Sequence, residues 1–306
     1  MPRIAVLVPC YNEEPTVAAV VRGLRAALPA ATVYVFDNNS RDATARLARE
    51  AGAHVRHVGL QGKGQVVARM FADVDADVYL LVDGDDTYDA ASAPALVDRL
   101  LEGHLDMVVG GRAGAGTEAF RRGHRLGNRA FTAFVAWLFG RGFSDIFSGY
   151  RAFSRRFVKS FPALATGFEI ETELTVHALE LRMPADEIPT PYRARPEGSA
   201  TKLRTYRDGL RILLTIVRLF QRERPFAFFG WMSVILAAAS IGLALPLLFT
   251  YLETGLVPRL PTAVLASGIM LMAVLAAACG IILDTVTLGR REMKRLAYLN
   301  ADTRQP

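Results

Sequence analysis

Three carboxylates, Asp83, Asp85 and Asp86, follow the apolar run Val78–Val82 in the stretch Leu80-Leu81-Val82-Asp83-Gly84-Asp85-Asp86-Thr87-Tyr88. Asp83 and Asp85 straddle a glycine, which lets the chain turn tightly enough for both side chains to meet one cation. Hard oxygen donors of this kind suit Mg²⁺ or Mn²⁺, ions that commonly hold substrate phosphates as well. The apolar run reads as a buried strand of a parallel sheet, and ligands of open α/β sheets bind beyond the carboxyl ends of the strands. An acidic turn that merely solubilises a strand end has the same sequence, so the pair alone leaves both readings open.

The elements that would position these acids alternate. Ile4–Val8 is a first apolar strand, followed by Pro9-Cys10-Tyr11-Asn12-Glu13-Glu14-Pro15 and a helical pattern from Val17 to Leu28. Thr32–Phe36 predicts a second strand ending in Asp37-Asn38-Asn39-Ser40, with Ser40 as N-cap of a helix through Leu47. A third strand at His54–His57 gives way to Gly59-Leu60-Gln61-Gly62-Lys63-Gly64 and a helix through Met70, and Val78–Val82 is the fourth strand. Such a β-α-β-α-β-α-β series predicts a parallel sheet with right-handed crossovers. Three strands end in polar clusters: Asn12-Glu13-Glu14, Asp37-Asn38-Asn39 and Asp83-Asp85-Asp86. Each cluster alone could be turn chemistry. Together along one sheet edge they suit hydrogen bonding to a nucleobase and ribose, with a metal at the diphosphate. The G-x-G-x-x-G fingerprint of dinucleotide folds does not follow the first strand.

Composition narrows the partners. The 306 residues are 51% hydrophobic, and the excess collects after residue 225. A net charge of +6 fits nucleic acid, anionic lipid or phosphate-bearing substrates. Many arginines lie in the segment leading to the hydrophobic end, which favours a membrane surface and no nucleic acid. Cys10 and Cys279 suggest no disulfide framework, consistent with a reducing compartment. The first apolar run stops at Tyr11-Asn12-Glu13, too soon for a signal peptide. Five histidines without ligand spacing argue against a zinc site.

The segments VPCYNEE (8–14), DNNSRDAT (37–44) and DGDDTY (83–88) resemble family 2 glycosyltransferases of the GT-A fold. DMVVGGR (106–112), SDIFSGYRAFSR (144–155), GFEIETEL (167–174) and PEGSATKL (196–203) resemble its polyprenyl-phosphate branch, the dolichyl-phosphate mannose synthase relatives. The similarity covers residues 4 to 220, roughly. It implies an α/β, Rossmann-like GT-A domain with a mostly parallel sheet. The implied activity is inverting transfer from a UDP- or GDP-linked sugar to an undecaprenyl- or dolichyl-type phosphate, for cell-envelope glycan or glycoprotein assembly. By this resemblance Asp83 and Asp85 hold Mg²⁺ or Mn²⁺ and, with Asp145 and Arg112, form the catalytic set. Pro9, Tyr11, Asn12, Glu13, Asp37 and Asn39 are expected at the nucleotide sugar, together with Lys63, Asp83, Gly84 and Lys202. Arg112, Arg129, Ser148 and Arg151 are expected to cradle the acceptor phosphate, a task suited to arginine's fork of donors. Glu169 and Glu171 are implied near the active centre. The mannose synthases carry Gln where this chain has Thr87, which leaves the role of Thr87 open.

The hydrophobic end predicts a membrane anchor. Over 201–224, Arg204, Arg207, Arg211, Arg218 and Arg222 line one helical face and Leu210, Leu213, Leu214, Val217 and Phe220 the other. That is the pattern of an amphipathic helix on an anionic leaflet, though a helix packed on its own domain shows it too. Two uncharged runs follow within 225–289, predicting spans at 226–251 and 261–286, each long enough for a ~30 Å hydrocarbon core. The basic segment 290–306 reads as a cytoplasmic tail. The positive-inside rule puts both termini and the catalytic domain, 1–200, on the cytoplasmic side of an inner membrane. Relatives in the family form oligomers, so a homo-oligomer is implied. A polymerising synthase would carry Q-x-x-R-W, whereas Gln221-Arg222-Glu223-Arg224 is followed by Pro225. The same residues also fit direct transfer to a glycolipid or polysaccharide acceptor, or a non-catalytic membrane subunit that binds nucleotide sugars.

Overall fold

The apolar runs become adjacent strands because only a sheet pairs their backbone groups while hiding both faces. In the computed structural model, which describes residues 1–113, 132–137, 143–167, 169–193 and 217–301, the first unit opens with β1 (Ile4–Cys10), α1 (Val17–Ala27) and β2 (Thr32–Asp37). There follow α2 (Thr44–Glu50), β3 (His54–His57), α3 (Lys63–Asp73), β4 (Val78–Leu81), α4 (Ala93–Glu102) and β5 (Met107–Ala113). The unit continues through β6 (Arg151–Ser154), α5 (Arg155–Ser160), α6 (Ile170–Glu180) and β7 (Ala185–Pro191).

The sheet has seven strands in the order β3-β2-β1-β4-β6-β5-β7. The pairs β1–β2, β1–β4, β2–β3 and β5–β7 are parallel, whereas β6 runs antiparallel to both β4 and β5. From β1 the chain builds outward to β2 and β3 and then crosses back to β4. The strand order therefore reverses between β1 and β4, and a crevice opens beyond their carboxyl ends at such a switch point. Val6, Leu7, Leu80 and Leu81 in the two central strands are fully buried.

Two features differ from expectation. Ser40 is not the N-cap of α2, which begins at Thr44 after Ala43. The Ser40 hydroxyl instead accepts from the Asn12 amide at 2.9 Å, tying the loop after β2 to the loop after β1. The second concerns the tail. The first unit comprises Met1–Asp208 together with Met293–Pro306, so the chain returns to it at the end. Lys294 Nζ lies 2.6 Å from Glu180, whose side chain is 2% exposed. The Tyr298 hydroxyl donates to Asp106 Oδ2 at 2.7 Å, and the Arg156 guanidinium lies over the Tyr298 ring. The tail thus adds partners to two buried carboxylates of the first unit.

The second unit, Gly209–Glu292, holds α7 (Pro225–Thr254) and most of α8 (Leu260–Asn300), helices of 30 and 41 residues. Both are long and apolar enough to cross a membrane. Large apolar side chains such as Trp231, Ile235, Phe249, Leu271 and Ile282 are exposed along them, a surface that water would not tolerate. The two helices meet through small residues. Ala266, Ala273, Ala276 and Gly280 are buried on α8, and the Ser240 hydroxyl donates to the Ala266 carbonyl at 2.7 Å. At one end of the pair, Arg290 and Arg291 donate to the carbonyls of Arg222 and Glu223, where the helical stretch 217–223 ends. Cations at helix C-termini offset the unpaired carbonyls there.

Candidate active site

The register aligns the polar strand tips. Cys10 of β1 pairs with Asp37 of β2, and Asp37 pairs with His57 of β3. The two loops exchange hydrogen bonds: the Glu13 amide donates to Thr44 Oγ1 at 2.8 Å, and the Arg41 amide donates to Asn12 Oδ1 at 2.9 Å. Pro9 and Tyr11 are partly exposed at the end of β1. Asp37 is 5% exposed, and its Oδ1 has no hydrogen-bond partner among the described residues. An orphaned buried carboxylate oxygen at a strand tip is expensive unless a ligand's hydroxyl or N–H completes it. Its other oxygen lies 3.6 Å from His57 Nδ1.

Asn38, grouped with Asp37 in the sequence but given no role of its own, organises the next loop. Its Nδ2 donates to the carbonyls of Val58 and Leu60, and its Oδ1 accepts from the Gly62 amide at 2.7 Å. Asn39, expected at the nucleotide sugar, spends its amide on the Gly59 carbonyl and Gln61. The pair clamps the turn that delivers Lys63.

At the end of β4, Gly84 is buried and its carbonyl accepts from Thr16 Oγ1 at 2.7 Å. Asp85 is 3% exposed, and its Oδ1 accepts from the Thr87 hydroxyl at 2.6 Å. Thr87 therefore orients Asp85, which gives this departure from the mannose synthase pattern a role. Asp83 is more open and receives Lys63 Nζ at 2.5 Å; the same ammonium lies 2.5 Å from Glu171 Oε1. Burial alone would lower the Lys63 ammonium, but the two carboxylates outweigh it and hold the ammonium well above its ordinary range. Glu171 is brought into the site, whereas Glu169 is exposed and Glu173 accepts from the Leu164 and Ala165 amides. Among the described residues no group of three or more His, Cys, Asp or Glu is placed to hold a metal ion. Two carboxylates fit Mg²⁺ or Mn²⁺ all the same, since such ions take one or two protein carboxylates and complete their shell with phosphate and water.

The remaining expected residues divide into two groups. Arg112, on β5, and Asp145 form a two-point pair, with Nε at 2.6 Å and Nη2 at 2.7 Å from the two carboxylate oxygens. Burial would raise the Asp145 carboxyl, but Arg112 outweighs it and keeps Asp145 below the usual carboxylate range. Asp145, expected in the catalytic set, thus holds Arg112, which also lies over the Tyr192 ring. Ser148 and Arg151 are corrections. The Ser148 hydroxyl is fully buried and donates to the Gly110 carbonyl at 2.6 Å. Arg151 is 0% exposed and donates to the Ser148 and Ile146 carbonyls and to Thr175 Oγ1, at 2.8, 2.7 and 2.8 Å. Neither side chain is open to an acceptor; both brace the 145–149 turn that carries Asp145. The clue was the setting of Arg151 between Tyr150 and Ala152-Phe153, in a strand with no polar face. Arg129 and Lys202 lie outside the described residues.

The model of the family described as glycosyl transferase family 2 matches residues 5–161. The glycosyltransferase AglJ of Haloferax volcanii is 37% identical over 303 residues, covering 97% of this chain and 98% of the relative. A dolichyl-phosphate hexose transferase of the same organism is 31% identical over 222 residues, 72% of this chain and 95% of the relative. Among solved structures, glucosyl-3-phosphoglycerate synthase from Mycobacterium tuberculosis, in complex with Mn²⁺, UDP-glucose and phosphoglyceric acid, superposes with a TM-score of 0.56. That match has 25% identity over 70% of this chain and 79% of the synthase.

Proposed function

We propose that this chain, which belongs to glycosyl transferase family 2 and has its nucleotide-sugar-binding GT-A fold, moves a hexose from a nucleotide sugar to a polyprenyl phosphate. One observation carries the reading: a chain with the carboxylate pair Asp83 and Asp85 at a sheet switch point also carries two membrane-length apolar helices. The similarity to a dolichyl-phosphate hexose transferase supports the acceptor. The structural neighbour holds Mn²⁺ with a UDP-sugar and an acceptor that itself bears a phosphate, which supports the donor class and the metal.

In this reading Asp37 completes its orphaned oxygen with a hydroxyl or N–H of the nucleoside. Asp83 and Asp85 would hold Mg²⁺ or Mn²⁺, which when bound neutralises charge gathering on the diphosphate. Thr87 keeps Asp85 turned toward that position. Arg112, fixed by Asp145, meets the acceptor phosphate; such an acceptor is anionic near neutral pH, so placement replaces a strong general base. Direct attack at the anomeric carbon inverts its configuration. The catalytic unit and both termini lie on the cytoplasmic side of the membrane, where sugar nucleotides are found.

The test is a screen of labelled UDP- and GDP-sugars against undecaprenyl phosphate in membranes containing the chain. Formation of a lipid-linked sugar with release of nucleoside diphosphate is the expected result. Transfer only to glycolipid or polysaccharide, with polyprenyl phosphate inert, would overturn the acceptor assignment.

A further inference from the structure

Lys63 makes one more contact than a diphosphate ligand needs. Its ammonium is shared between Asp83 Oδ1 and Glu171 Oε1 at 2.5 Å each, and the Lys63 and Glu171 side chains are 11% and 7% exposed. Two glycines make this possible. Gly62 and Gly64 lie against the carbonyls of Thr166 and Ala165, where a Cβ on either would overlap them. Those carbonyls belong to the segment entering α6, so the Lys63 turn sits flush against the helix that carries Glu171. On its other side Asp83 is hemmed by Gly149, where a Cβ would overlap the carboxylate. The Asp83 carboxylate has little room to swing away from Lys63.

A divalent ion held by Asp83 would need direct contact with a carboxylate oxygen. The ammonium already there would repel it strongly at that range. Lys63 has a second anchor in place, the Glu171 carboxylate. We propose that Lys63 is a resident counter-ion of Asp83 that yields the carboxylate to the divalent cation by shifting onto Glu171, so that Glu171 tunes metal affinity without touching the metal. Glu171 is then a positioning residue acting through Lys63. The inference rests on the reading of Asp83 as a metal ligand.

The experiment titrates Mn²⁺ alone, without sugar nucleotide, into the detergent-solubilised full chain and reads free Mn²⁺ by electron paramagnetic resonance. Glu171→Gln should weaken binding about 10- to 100-fold, the worth of one hydrogen bond between charged groups. Lys63→Met should tighten it. In the Lys63→Met background, Glu171→Gln should change affinity by no more than about twofold, the scatter of independent effects. An equal loss from Glu171→Gln with and without Lys63 would mean that the carboxylate acts by its charge alone, and overturns the proposal. Should circular dichroism show Lys63→Met unfolded, the double variant is compared with Glu171→Gln instead: tighter binding by the double variant supports the proposal and equal binding overturns it. Asp83→Asn separates the two levels. If it leaves Mn²⁺ binding unchanged, the metal assignment itself fails, whereas loss in Asp83→Asn with uncoupled Lys63 and Glu171 removes only the counter-ion role.

Discussion

Replacing Arg151 by Met or Lys tests whether this arginine braces the fold or meets the acceptor. Its guanidinium is 0% exposed and satisfies the carbonyls of Ser148 and Ile146. Methionine fills the space but leaves both carbonyls buried and unpaired, at about 1–3 kcal/mol each, so a loss of about 2–6 kcal/mol is expected. Lysine keeps the charge yet has no planar fork to reach both carbonyls and Thr175 at once, so it should recover only part of that. For a unit of this size each kcal/mol lowers the midpoint by about 2–4 °C. Differential scanning fluorimetry of the purified full chain in detergent should therefore show a fall of about 4 °C or more for Arg151→Met. At temperatures where the variant stays folded, any rise in its lipid KM should not exceed that of Asp145→Asn, because Arg151 reaches Arg112 only through the turn that carries Asp145. An unchanged midpoint with a selectively raised lipid KM would refute the bracing argument and return Arg151 to the acceptor site.

Asp85→Asn should lower kcat by about 10²- to 10³-fold, as expected when a stabiliser of developing charge is removed, with circular dichroism unchanged; near-normal turnover would sink the metal assignment. Arg112→Ala should raise the lipid KM about tenfold or more, the worth of a charge-assisted contact, and Asp145→Asn should shift the same constant in the same direction; altered sugar-nucleotide KM with unaltered lipid KM would contradict it. His177 gives a pH effect. It is buried among Phe157 and Phe161, and burial, aided by Lys294, pushes its imidazole down to about 3. A histidine that must stay neutral in the folded state costs stability once the unfolded chain takes up its proton. The loss begins as pH falls through the unfolded value near 6.5 and grows by about 1.4 kcal/mol per pH unit, reaching about 2 kcal/mol at pH 5. Urea unfolding of His177→Phe beside the parent between pH 7 and 5 should show this slope only in the parent; parallel slopes would exclude the mechanism.

What the sequence made legible was whatever depends on near neighbours. Ile4–Val8, Thr32–Phe36 and Val78–Val82 are apolar runs short enough to be strands, and their polar ends announced the site because strand tips share one edge. The two long uncharged runs were equally plain. Contacts set by the third dimension were hidden. No local pattern says that Lys63 reaches Glu171, more than a hundred positions away, or that Ser40 serves Asn12 rather than its own helix. The reversal of β6 was invisible for a similar reason: a four-residue strand has no period that records its direction. Arg151 misled because a motif position identifies a residue's neighbourhood but not whether its head group faces solvent or carbonyls.

The return of residues 293–301 to the first unit bears on how the molecule is made. Asp106 and Glu180 are synthesised long before Tyr298 and Lys294, with both apolar helices in between. Domains commonly fold as they leave the ribosome, yet this one cannot be finished until nearly the whole chain has been translated and its greasy segments dealt with. A nascent chain stalled between the two helices would lack the Tyr298 hydroxyl at Asp106 and the Lys294 ammonium at Glu180. Synthesis of the two long apolar helices and completion of the first unit are thereby tied together, so a truncated product would lack contacts of its own folded unit.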